Sequence, residues 1–105
     1  MTMKISMQLP YAGRFADSVD MVVELEKVGL DICYVAEAYS FDAISAMGYL
    51  AAKTSTVQIA AGILPIYTRT PTLLAMTGAG LDFVSDGRCI LGLGASGPQV
   101  IEGFH

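Results

Sequence analysis

Short, nearly continuous apolar runs recur along this chain, separated by longer stretches in which apolar residues return every three or four positions. The runs at 4–9, 31–35, 57–64 and 88–93 read as strands buried on both faces, because such strands show no apolar–polar alternation. Between them the spacing predicts helices over 17–28, 43–53 and 71–85. In the first, Ser18, Met21, Val22, Leu25 and Val28 fall on one face, and Gly29 supplies a left-handed stop. Asp42 is the expected N-cap of the second helix. Pro71 sits where a first helical turn tolerates proline, and Gly87 lies beyond the third helix. The order βαβαβαβ with short connections demands parallel strands and right-handed crossovers. Two architectures share it: a doubly wound sheet with helices on both faces, and a (β/α)8 barrel with all helices outside.

Composition narrows the functional classes. Hydrophobic residues make up 53% of the 105 positions and charged residues 15%, more apolar surface than one small domain needs, so a homo-oligomer is expected. The chain stops at 102–105, just after a strand and its loop, and reads as truncated. A net charge of −4 with scattered basic residues excludes the footprint of a nucleic-acid binder. The apolar stretch before Pro10 is too short for a signal-peptide core or a membrane span, so no membrane partner and a cytoplasmic location are expected. Cys33 and Cys89 lack a metal-ligand spacing and read as buried free thiols.

Candidate chemistry gathers where the strands end, because each run empties into Gly, Pro, Ser or Thr, and ligands of parallel sheets sit beyond the carboxyl ends of the strands. Gly92, Gly94 and Gly97 match the GxGxxG dinucleotide fingerprint after a strand. That motif normally opens the first βαβ unit, with an acidic residue about 20 positions on. Here three βα units precede it and Pro98 follows at once, so a plain strand-to-loop turn is the preferred reading.

The segments AAGILPIYTRTPTLLA and LDFVSDGRCILGLGASGPQVIEGFH, with KISMQLP and GLDICYVAEAYSFDA before them, resemble the luciferase-like monooxygenase superfamily. Within it, the resemblance is to the branch that uses the deazaflavin coenzyme F420 in place of FMN. It implies a (β/α)8 barrel about three times this length, of which residues 1–105 would be a βαβαβαβ half-barrel fragment, running from the first strand to the loop after the fourth. It further implies a bulge at the end of the third strand, often with a non-proline cis peptide, that packs behind the middle ring of the cofactor. The matching residues are Gly62, Ile63 and Leu64. Glu37 matches a position near the reactive ring, and Ser96, Gly97 and Gln99 match the lining of the ring and substrate cavity.

The implied activity of the parent protein is hydride transfer between the deazaflavin and a small organic substrate, with Glu37 as the proton donor or acceptor. FMN with molecular oxygen is the enzymatic alternative, and a non-catalytic half-barrel that self-associates through its open strand edges is the structural one. Sugar-phosphate dehydrogenases of the family carry a histidine where this chain has Ala38, and a carboxylate in the SGP loop where it has none, which argues against a glucose-phosphate substrate. The phosphate-binding loops of such barrels follow later strands, so tight cofactor binding by these residues alone is not expected. Plain alternatives stand beside each candidate. Glu37 could be a solvated acid or a partner for Arg69, Arg69 could hold a ligand anion or form a surface ion pair, and Gly62 could simply relieve packing. Tyr67 and Thr68 could face a cofactor or solvent, and Met47, Met76 and Tyr49 read as core and rim packing.

Overall fold

The computed structural model describes residues 3–38, 40–95, 97–99 and 102, and in it the chain forms four parallel strands in sequence order. These are β1 (Ser6–Gln8), β2 (Ile32–Val35), β3 (Gln58–Pro65) and β4 (Cys89–Gly94), joined by α1 (Phe15–Lys27), α2 (Ala43–Lys53) and α3 (Pro71–Ser85). Each strand pairs only with its sequence neighbours, as in a barrel wall. Right-handed crossovers between consecutive neighbours put every helix on the same face. Accordingly α1 packs on α2 and α2 on α3, one layer outside the sheet. The doubly wound alternative, which needs a reversal of strand order, is excluded.

Strand side chains alternate between the two faces. Met7, Cys33, Val35, Ile59, Ala61 and Leu91 point to the helices and, with Val19, Val22, Met47, Leu50 and Leu81, make the core. Ser6, Gln8, Tyr34 and Ile90 lie on the other face, which is open at its edges: Ser6 and Gln8 are exposed and Ile90 is 38% exposed. That face would look inward in a closed cylinder.

Capping explains where the helices stop and start. The Asp42 carboxylate accepts from the Ser45 N–H, and the Thr70 hydroxyl accepts from Leu73 N–H ahead of Pro71. Gly29 has φ 105° as the stop after α1, while Asp86 and Gly87 are both left-handed after α3. Two expectations need correction. The buried stripe of α1 is Ser18, Val19 and Val22, and Met21 and Val28 face solvent, because the helix starts at Phe15 and meets the sheet over its first half. Met76 is 65% exposed on the outer side of α3, so it is not core, whereas Met47 is fully buried. Of the two thiols, Cys33 is buried, which pushes its pKa up to about 11, and Cys89 is half-buried.

The end of the sheet where the strands begin is locked by two side chains. Arg88 donates to the carbonyls of Ser85, Val57, Ala51 and Thr54 and to the Thr54 hydroxyl, joining the ends of α2 and α3 to the start of β3. One oxygen of Glu26, on α1, accepts the N–H groups of Ser55, Thr56 and Val57 at 2.7–2.9 Å. Burial opposes the Glu26 charge, but those three donors hold its pKa below the usual carboxylate range.

Candidate functional site at the carboxyl ends of the strands

The loops after β2 and β3 meet at the opposite end of the sheet, where the (β/α)8 architecture places its chemistry. Glu37, two residues past β2, receives Arg69 Nη1 on Oε1 at 2.7 Å and Arg69 Nη2 on Oε2 at 2.9 Å. Oε2 also accepts the Ala43 N–H at 2.7 Å, so Glu37 fixes the first turn of α2 as well. The pair is nearly enclosed, with the Arg69 side chain 11% and the Glu37 side chain 9% exposed. The bond from Arg69, with Ala43 behind it, keeps the Glu37 carboxyl below its ordinary pKa against the cost of burial. Arg69 in turn is held charged by Glu37.

This geometry decides between the readings left open for both residues. Arg69 is the partner of Glu37 in a forked, nearly enclosed pair rather than an exposed surface pair. Glu37 is an anchor with both oxygens engaged, its charge held by Arg69 and by the Ala43 N–H. Beside them Tyr11, in the loop after β1, donates its hydroxyl to the carbonyl of Ala36. Burial raises its pKa, and the charges of Glu37 and Asp42 add to that.

At the end of β3 the pairing with β4 slips between Ala61 and Leu64, and the Gly62–Ile63 peptide is cis. The bulge therefore lies at the expected residues. A Cβ on Gly62 would come within 3.0 Å of the Tyr34 ring, so glycine makes room there for the Tyr34 side chain on the open face. The side chain of Leu64 is fully buried, leaving only its backbone at the rim. Ile63 covers the two strand glycines of the GxGxxG match: a Cβ on Gly92 would lie 2.3 Å from the Ala61 carbonyl oxygen and one on Gly94 would lie 2.5 Å from Ile63 Cδ1. Close approach of two strands explains Gly92 and Gly94 without any nucleotide.

Ser96 lies outside the described residues. Gly97 is half-buried and Gln99 exposed, immediately beyond β4. The structure thus brings Glu37 together with Arg69, and Gly62 and Ile63 together with β4, while Glu37 is not joined to the bulge by any described bond. Two cavities open at this end. One of about 350 Å³ is lined by Glu37, Thr68, Arg69 and Leu73 among others. A larger one of about 520 Å³ lies between the loop after β1 and α2, and the sequence reading missed it because its walls come from three separate segments. Among the described residues, no helix is long and apolar enough to cross a membrane.

Comparison with known proteins agrees with this architecture. The family model described as luciferase-like monooxygenase matches residues 1–105. A Mycobacterium tuberculosis protein, provisionally named a coenzyme F420-dependent oxidoreductase, is 38% identical over 105 residues, covering 98% of this chain and 30% of the relative. Among solved structures, the coenzyme F420-dependent tetrahydromethanopterin reductase of Methanopyrus kandleri superposes with a TM-score of 0.86 at 22% identity, over 96% of this chain and 29% of the reductase. The oxygenating constituent of 3,6-diketocamphane monooxygenase from Pseudomonas putida, in complex with FMN, gives 0.79 at 21% identity, over 98% of this chain and 33% of that one. The chain therefore spans about 30% of the length of the curated relative it matches. A wall of parallel strands in sequence order, a bulge at the end of β3 and a family match over every residue converge: the chain belongs to the luciferase-like monooxygenase family.

Proposed function

We propose that these residues are the first part of a coenzyme F420-dependent oxidoreductase, in which a hydride passes between the deazaflavin ring and a small organic substrate at the mouth of the barrel. The observation that carries this reading is the 38% identity, over nearly the whole chain, to a relative named for that coenzyme. Deazaflavin bound at the rim would supply the redox chemistry. The residues present fit a flat, uncharged ring at that place. Tyr34 and Ile63, which fill the space beside Gly62 and Gly94, offer a ring and an apolar side chain, and the charges of Glu37 and Arg69 neutralise each other. Gly62, Ile63 and the backbone of Leu64 would back the ring, with Ser96, Gly97 and Gln99 along its edge. Glu37 serves this reading as a positioning residue that ties the β2 loop, the start of α2 and the β3 loop together, in place of the proton-transfer role its position first suggested.

A second element of the proposal is self-association. Leu73, Met76, Phe83 and Val84 are 48%, 65%, 83% and 57% exposed on α3, which is apolar on nearly every side, and a helix of that kind is ordinarily covered. The test titrates the purified chain with coenzyme F420 and with FMN, following ring absorbance and fluorescence, with sedimentation run in parallel. A saturable change with the deazaflavin at concentrations where FMN gives none is expected. Tighter binding of FMN would move the assignment to the flavin monooxygenases. Concentration-dependent dimerisation with no response to either ring would leave only the structural reading.

A further inference from the structure

The 520 Å³ cavity lies beside the rim and is walled by the rings of Tyr11, Phe15, Phe41 and Tyr49. Among the described residues, its one charged lining side chain is Asp42. The rings are fixed to different degrees. Phe15 and Tyr49 meet edge to face, with centroids 5.2 Å apart and planes at 79°, making a corner between α1 and α2. The Tyr11 hydroxyl is tied to the Ala36 carbonyl. Phe41 remains 73% exposed and Tyr49 43% exposed, a concentration of aromatic surface left in water at one spot.

Asp42 is held at the lip, since its Oδ2 accepts both the N–H and the hydroxyl of Ser45 at 2.9 and 2.8 Å. The faces of aromatic rings attract cations, and a desolvated ring adds more than an exposed one. The ammonium of Lys53, one turn further along α2 and outside the lining, lies 5.7 Å from the Tyr49 ring centroid, so a ligand cation would rest chiefly on the other three rings. A carboxylate and four rings together disfavour an anion and favour a cation over a neutral molecule of the same shape.

We propose that this cavity binds a small organic cation of the alkylated-ammonium class, its N-methyl groups against the rings and its charge facing Asp42. The site is separate from the strand-end bulge and does not depend on which redox cofactor the protein uses. The test is a two-dimensional NMR titration of the isotope-labelled chain with choline and with its neutral carbon isostere, 3,3-dimethylbutan-1-ol. Choline is expected to give saturable shifts at the amides of Ser45, Ala46 and Tyr49 and to bind about tenfold more tightly than the isostere. Asp42→Asn keeps an N-cap residue of equal quality, so the fold stands while choline binding weakens about tenfold. Equal affinity for the isostere, unchanged choline binding in Asp42→Asn, or no saturation with choline would each overturn the proposal.

Discussion

Arg69→Met leaves the Glu37 carboxylate enclosed and ionised with only the Ala43 N–H to hold it, which makes the pair the most sensitive test of how this rim is built. Unit charges about 4 Å apart attract by about 4 kcal/mol at an effective dielectric of about 20. Desolvation offsets much of that, but removing one partner of a buried pair typically costs about 3–5 kcal/mol. With about a tenth of each side chain still exposed, the lower end applies, and Arg69→Met is expected to cost about 3 kcal/mol. Glu37→Gln keeps one acceptor for either Ala43 or Arg69 and is expected to cost about 2 kcal/mol. Because the two losses share one interaction, the double variant should show a coupling of about 2 kcal/mol. Urea unfolding followed by far-ultraviolet circular dichroism, at one fixed protein concentration, measures all three. A coupling below about 0.5 kcal/mol, the range of an exposed pair, would refute the geometry. The pH dependence gives an independent check. The folded pKa of Glu37 lies below its unfolded value of about 4.3, so its contribution is complete above that pH and is lost as the pH falls through the folded pKa. Glu26 and Asp42 are shifted the same way and keep part of the acid sensitivity, so Glu37→Gln should flatten the curve without abolishing it.

Two glycines should respond in opposite directions: a Cβ on Gly80 meets nothing within 4 Å, so Gly80→Ala should stabilise α3 by up to about 1 kcal/mol and raise the Tm. Gly92→Ala drives a methyl into the Ala61 carbonyl oxygen and should cost about 2 kcal/mol or more by the same melting assay. Arg88→Met strands the carbonyls of Ala51, Thr54, Val57 and Ser85 and should cost about 3 kcal/mol in urea unfolding. Arg88→Lys should recover little of it, since a single ammonium cannot reach acceptors spread over a guanidinium fork.

Helix ends were legible wherever a side chain closes its own turn. Asp42, Pro71 and Gly87 bracket α2 and α3 at the residues expected, because such signals involve only three or four neighbouring positions. α1 lacks such a signal: Arg14 caps it with backbone geometry alone, and the helix begins two residues before its expected start. β1 was expected over 4–9 and runs Ser6–Gln8, yet the Ile5 carbonyl still accepts from Asp31 and Ile32 and the Leu9 N–H still reaches Tyr34, so the pairing outlasts the strand. What the sequence concealed was long-range. Arg69 is one of the partners the sequence offers Glu37, 32 residues away, but nothing there selects it over solvent or a ligand, and nothing marks Glu26 for the backbone at Val57, 31 residues on. Gly92 and Gly94, within β4, fit a known ligand motif by spacing, and only the register slip after Ala61 reveals that they admit a neighbouring strand.

The two ends of the sheet divide stability and chemistry between them. At the end where strands begin, the charges of Arg88 and Glu26 are engaged by backbone groups. At the other end Glu37 and Arg69 spend theirs on each other, with Glu37 also gripping α2. The described part of the rim is thereby nearly neutral, which suits the uncharged ring of the proposed function. The same cancellation leaves Asp42 as the negative group that the cavity lined by Tyr11, Phe15, Phe41 and Tyr49 presents to a ligand, so the redox ring and an organic cation would be selected by opposite means at adjoining places. Exchanging the charges, Glu37→Arg with Arg69→Glu, separates these effects: the pair can re-form, but the Ala43 N–H loses its acceptor and α2 its anchor. The double exchange should therefore recover less than half of the stability lost by either single variant in urea unfolding, and full recovery would show that the pair matters only as two opposite charges.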